Sequence, residues 1–210
     1  MTDIFREIEE DLRRDNLKKL WSRYGRYLII VAVVALLAAG GVAVWRAHEL
    51  SLRRQQSERY AAAFQLVNAG KSGEAAKVFA AIAGEGGGYG LLARFEEAAL
   101  LAKSGKTEAA EKLYDRLARS PTIDPAFRGL ANLLAAMDEK NPQARIDRLK
   151  PLTAKGSPWR PSALELIAVA WLEQGESAAA IAIFKSLAKD PETPPRLKAR
   201  AAEMAKALAS

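Results

Sequence analysis

Read for its apolar and polar positions, the chain changes character abruptly at Tyr27. From there to Trp45 no residue is charged, and only the aromatic rings at the two ends offer a polar atom. Nineteen residues at about 1.5 Å each make a helix of roughly 28 Å, close to the ~30 Å hydrocarbon core of a bilayer. Arg23 and Arg26 stand before this stretch and Arg46 after it; Trp21, Tyr24, Tyr27 and Trp45 fall where an interfacial aromatic belt would lie. The pattern predicts one transmembrane helix over residues 27–45. Three other readings fit less well. A buried core helix seldom runs this far without a polar residue. A cleaved signal peptide has a short basic start and an apolar region of about 7–15 residues, whereas 26 residues of both signs come first here, although Gly41 and Ala43 have the size of a cleavage site. A helix lying in the interface needs a polar face.

The stretch before the span, residues 1–26, reads as an amphipathic helical head. Thr2 or Asp3 can cap it, and Ile4, Phe5, Ile8, Leu12, Leu20 and Trp21 recur at roughly helical spacing. Acids come first and bases follow, which suits the helix dipole and sets the bases against the membrane. Six Lys/Arg lie in residues 7–26 and four in residues 46–65. By the positive-inside rule the head is cytoplasmic and residues 46–210 are periplasmic.

After residue 46 no alternating strand pattern appears. The chain breaks into predicted helices over 72–84, 89–104, 106–119, 124–138, 142–154, 159–174, 176–189 and 193–208. Upstream of these, 3–22 and 24–69 are expected, the second carrying the span without a break into the first repeat. A period of 35 runs through them. Gly70, Gly105, Lys140 and Gly175 mark it; five residues on stand Ala75, Ala110, Arg145 and Ala180; nine on stand Phe79, Tyr114, Leu149 and Phe184; seven before stand Ala63, Ala98, Leu133 and Ala168. A small residue where two helices cross, followed by a ring that plugs the next unit, is what stacked helical hairpins need. The expected fold is all-α: a single transmembrane helix, then an α-solenoid of about four hairpins (50–84, 89–120, 124–154, 158–190) and a capping helix at 193–208. The third unit departs from the pattern, with Lys140 for glycine, Arg145 for alanine, and Pro142 and Pro151 bracketing a short helix. Residues 84–88, Gly-Glu-Gly-Gly-Gly, are expected to form the most flexible turn. They lack the lysine and hydroxyl residue of a phosphate-binding loop.

Composition removes most chemistry. The chain of 210 residues has no cysteine and one histidine, His48, so Cys/His metal sites and nucleophile pairs are excluded. Pairs such as Glu96-Glu97 sit among neighbouring charges and read as solvated faces. The net charge is +7, but it alternates in sign along helices, with no basic face interleaved with aromatics for nucleic acid. No enzyme activity, cofactor, metal or small-molecule substrate is expected. The first helices of the hairpins are unusually apolar. By position relative to the turn, Tyr60, Phe64, Val67, Phe95, Leu130, Leu134, Met137, Val169 and Leu172 are expected to point toward a concave surface that holds polypeptide. The competing reading is that they are ordinary core.

Gly105 through Ala110 with Tyr114 and Pro121, and Gly175 through Ala180 with Phe184 and Pro191, resemble the tetratricopeptide repeat (TPR). Phe5 through Asp15, with Trp21, Tyr24 and Gly25 before the span and the repeats behind it, resemble the bacterial family of TPR-like ancillary subunits of the SecYEG translocon. The resemblance implies an inner-membrane protein whose periplasmic repeat domain meets translocon subunits and periplasmic chaperones or unfolded clients, with lipid around residues 21–46. It implies no fixed functional residue. A self-assembling envelope or cell-division structural protein is the alternative.

Overall fold

The computed structural model describes the backbone of residues 2–209, and the side chains of residues 21, 23–27, 29–31 and 33–209. The head's expected apolar positions Ile4, Phe5, Ile8, Leu12 and Leu20 lie outside the described side chains. All regular structure among the described residues is helical: α1 (Thr2–Asn68), α2 (Ser72–Glu85), α3 (Gly87–Lys103), α4 (Thr107–Arg119), α5 (Pro125–Asp138), α6 (Pro142–Leu149), α7 (Arg160–Glu173), α8 (Ser177–Lys189) and α9 (Pro195–Ala207), with a 3-10 turn at Lys150–Thr153. The chain divides into two compact units, residues 1–57 and 58–210.

In the first unit the expected break between residues 22 and 24 does not occur, and α1 is continuous there. Gly25, just beyond that point, lies within the helix. It is buried in the helix surface because the Trp21 indole lies over it, 3.2 Å from where a Cβ would stand. Across the span the described apolar side chains are exposed on every side; Leu36 is 73% exposed and Val44 71%. Leaving one such side chain in water forgoes about 1.5–3 kcal/mol. None of the helix's most apolar window is buried within the chain, and it is long and apolar enough to cross a membrane.

In the second unit each helix packs on the next from α2 to α9. Four clusters of buried side chains form the core, the last of them, around Phe184 and Leu187, closed by Leu197, Ala201 and Ala205 of α9. Three hairpin turns are built alike. Gly70, Gly105 and Gly175 have φ of +78°, +79° and +82°, a region open to glycine without a Cβ clash. The following amides, of Lys71, Lys106 and Glu176, donate 2.9 Å bonds to carbonyls five residues back, on Leu66, Leu101 and Trp171. The glycine amides donate to Val67, Ala102 and Leu172 at 3.0 Å. This pair of bonds is the Schellman termination, which satisfies carbonyls that the helix end would orphan. It aims the chain back so that Ala75, Ala110 and Ala180, all fully buried, meet the preceding helix.

The third turn reaches the same result with side chains. No non-glycine residue among those described has positive φ, so Lys140 does not imitate glycine. Glu139 is extended, and the Asn141 carboxamide oxygen accepts from the amides of Gln143 and Ala144 at 2.9 and 3.1 Å, capping α6. Arg145, in the place of the small residue, donates from Nη2 and Nε to the Glu139 carbonyl at 2.6 and 3.2 Å. The helix expected over 142–154 is instead eight residues of α6 followed by the 3-10 turn. Pro151 has no N–H to continue the α ladder. The long loop expected at 84–88 contracts to one linking residue, Gly86, at φ +77° and ψ −160°, and α3 starts inside the glycine run. Further along, α3 crosses α2 so closely that a Cβ on Gly90 would lie 3.2 Å from the Ile82 carbonyl oxygen.

Candidate functional site

The nine residues expected to face a partner fall ten, six and three positions before the turn that ends each first helix. The structure deals with the three ranks differently. Ten before, Tyr60, Phe95 and Leu130 are drawn into the seams between hairpins. Phe95 is 7% exposed and its ring centroid is 6.4 Å from that of Tyr114 and 6.3 Å from that of Phe127. Tyr60 stands edge-on to Phe64 and Phe79 at 5.2 and 5.3 Å. Six before, Phe64, Leu134 and Val169 are half-buried. Three before, Val67 and Leu172 are half-buried, whereas Met137 is 59% exposed.

These residues do not form one continuous patch of free side chains. Tyr60, Phe64 and Val67 pack on the first core cluster; Phe95, Leu130 and Leu134 belong to the second; Val169 and Leu172 pack on the fourth. Two exposed apolar residues join Met137 that were not singled out by position: Leu92, 40% exposed, and Phe127, 37% exposed. They are 35 residues apart, so the repeat period itself held the signal that pairs them.

The polar groups beside these residues are the Tyr60 hydroxyl and the carboxylates of Glu96 and Glu97. The Tyr60 hydroxyl donates to Glu96 Oε1 at 3.4 Å. Burial pushes the Glu96 carboxyl above its ordinary range, and the bond from Tyr60 only partly offsets this. Glu97, the next residue round α3, is also raised by burial, against the pull of Arg116 and Arg94. No group of three or more His, Cys, Asp or Glu side chains able to hold a metal occurs among the described residues. His48 is exposed. Glu96 meets Tyr60 while Glu97 meets the charges of Arg116 and Arg94, so the two carboxylates diverge around the helix.

Comparison with known proteins bears on the fold. A family model described as tetratricopeptide repeat-like domain matches residues 18–204. No curated protein matches the chain. Among solved structures, the kinesin light chain nearly identical TPR-like repeats of Podosopora anserina are similar at 15% identity and a TM-score of 0.54, over 74% of this chain and 92% of that one. A substituted form of the same repeats gives 15% identity, a TM-score of 0.55 and coverage of 74% and 91%. At that identity the likeness is one of fold.

Proposed function

The chain belongs to the tetratricopeptide repeat-like domain family, and from that premise we propose that it is a membrane-anchored scaffold for protein partners at the bacterial export translocon. In this reading residues 27–45 cross the inner membrane, residues 1–26 stay in the cytoplasm, and residues 46–210 stand in the periplasm. The anchor holds the repeats near the channel exit, where effective concentration rather than tight contact secures encounter. Partners are translocon subunits, periplasmic chaperones or emerging unfolded clients, as in the ancillary SecYEG subunits that the head and span resemble.

The observation that carries the proposal is the apolar surface the first helices leave open in an otherwise well-packed repeat: Leu92, Phe127 and Met137. Apolar side chains at repeat-related positions along a solenoid suit a bound chain better than isolated surface residues do. Of the nine expected contacts, Met137 and the half-buried Phe64, Val67, Leu134, Val169 and Leu172 extend that surface; Tyr60, Phe95 and Leu130 support it from the seams.

Purification from mild detergent tests the assignment. Translocon subunits or periplasmic chaperones should co-purify with the full-length protein; recovery of division proteins or self-multimers alone would refute it and favour a structural role. The face is tested separately. L92D/M137D should lose the partner while keeping its helical spectrum and melting behaviour, whereas F95D/L130D, which strikes the packed seam, should lose the fold.

A further inference from the structure

The repeats carry a second feature, on the side of α3 away from Leu92. Between α2 and α4 the chain leaves a groove floored by α3. One end is a cavity of about 410 Å³ lined by Gly73, Ala76, Lys77, Ala80, Leu101 and Lys106, among others. The other end is a cavity of about 480 Å³ lined by Ala83, Gly84, Arg94, Leu113, Arg116 and Leu117, among others. Glu97 lines both, so the two adjoin along α3 and are taken together as a trough.

The repeat period shows that this opening is particular to one pair of hairpins. One unit on, Arg148 of α6 reaches across to α4, bonding Asp115 at 2.6 Å and Glu111 at 3.0 Å. Thirty-five residues before those three positions stand Leu113, Ala80 and Ala76. Where α4 and α6 are laced by an arginine and two carboxylates, α2 and α4 carry at those positions a leucine and two alanines, which have no polar atom to lace them. One unit further on, Ile183 fills the corresponding place by packing on the cluster that contains Ile146. The same architectural position is thus closed by charge, closed by an apolar plug, and in the first pair open.

The trough is also electrically one-sided. Four cations line it, Lys77, Lys106, Arg94 and Arg116, against the single carboxylate of Glu97. Arg94 is committed to the Ala83 carbonyl at 3.2 Å, and Arg116 and Arg94 together offset Glu97. Lys77 and Lys106 make no ion pair among the described residues. The floor and walls between these charges are apolar and small, so a backbone can come close.

We propose that this trough between α2 and α4 docks an acidic amphipathic helix of a protein partner, its apolar face on Ala76, Ala80, Leu101 and Leu113 and its carboxylates toward Lys77 and Lys106. A groove walled by two helices is filled by a third, and α2 is long enough to guide about four turns. The cations choose an acidic occupant over a basic one and hasten encounter. The trough is independent of the first-helix face, so either site can fail without the other.

The test uses full-length protein in native membranes, with a photocrosslinking amino acid at Gly73, where open space surrounds the backbone, and sequencing of the crosslinked peptide. The expected adduct is a peptide with net negative charge and apolar residues at helical spacing. A76E/A80D/L113R copies the α4–α6 triad into the trough and should abolish the adduct with the melting temperature held or raised. K77E/K106E, a pair of surface changes that leave packing alone, should lower its yield about tenfold or more. A basic or uncharged crosslinked peptide, a peptide of this same chain, no adduct at all, or an adduct that survives K77E/K106E would overturn the proposal.

Discussion

A methyl group on Gly129 would stand 2.7 Å from Cδ1 of Trp159, and that indole is held in place by its Nε1 donating to the Ala126 carbonyl at 2.7 Å. The ring cannot retreat without giving up a bond, so Gly129→Ala should destabilise the protein by about 1–3 kcal/mol, read from denaturant unfolding. Gly105→Ala should cost about 1 kcal/mol, because φ of +79° drives a Cβ toward the neighbouring carbonyl oxygen. The reverse change at the third turn, Lys140→Gly, should bring no gain, since that turn uses no left-handed residue; the added freedom of the unfolded chain should weaken it slightly. The glycines of the turns were legible from their spacing alone. The Gly129–Trp159 contact was not, because it joins a residue of α5 to one thirty positions on, in the turn before α7, and neither carries a local signature. Protonation also belongs to this scale. A carboxyl raised by burial, as Glu96 is, binds its proton more tightly folded than unfolded. Its contribution to stability is full below the unfolded value and is lost as pH rises through the folded one. Glu96→Gln keeps an acceptor for Tyr60 and should be more stable than the parent at neutral pH, with the gap closing below the ordinary carboxylate range in pH-dependent melts.

At the scale of elements, α6 is the informative one. Eight residues are too few for a helix to persist on its own propensity, and this one is pinned from outside. Arg145 ties it to the Glu139 carbonyl and to Glu173 of α7 at 2.7 Å, and Arg148 ties it to α4. Arg145→Ala should cost about 2 kcal/mol, the scale of hydrogen bonds to a charged group, and should raise hydrogen exchange in α6 before other helices respond. In the sequence, Arg145 is a violation of the repeat, and the violation was visible. Its reason was not, because the compensation lies in side chains whose partners are set by the fold. The glycine run at 84–88 misled in the opposite sense. Glycine content suggested a loop, but the packing of α3 on α2 at Gly90 draws all but Gly86 into helix. The expected break between residues 22 and 24 failed too: α1 runs through it and through Gly25, whose cost of about 1 kcal/mol in a helix interior does not end a helix.

For the whole molecule, the all-helical repeat with an apolar N-terminal helix was legible because both signals are long. Nineteen uncharged residues and a 35-residue period are hard to produce by accident. The division between seam and surface was less legible, since periodicity tells which side of a helix is apolar but not how deeply the neighbouring hairpin covers it; Phe95 and Met137 looked alike and differ widely in exposure. The trough between α2 and α4 was missed because it depends on comparing one hairpin pair with the next in three dimensions. The scaffold reading rests on the repeats standing on the outer side of the membrane while held by the span. Protease added to intact spheroplasts, followed by detection of both ends of the full-length protein, tests this most directly. The account predicts that residues beyond the span are digested while the N-terminal head stays protected until the membrane is breached; a C-terminal domain that resists digestion until lysis would contradict it.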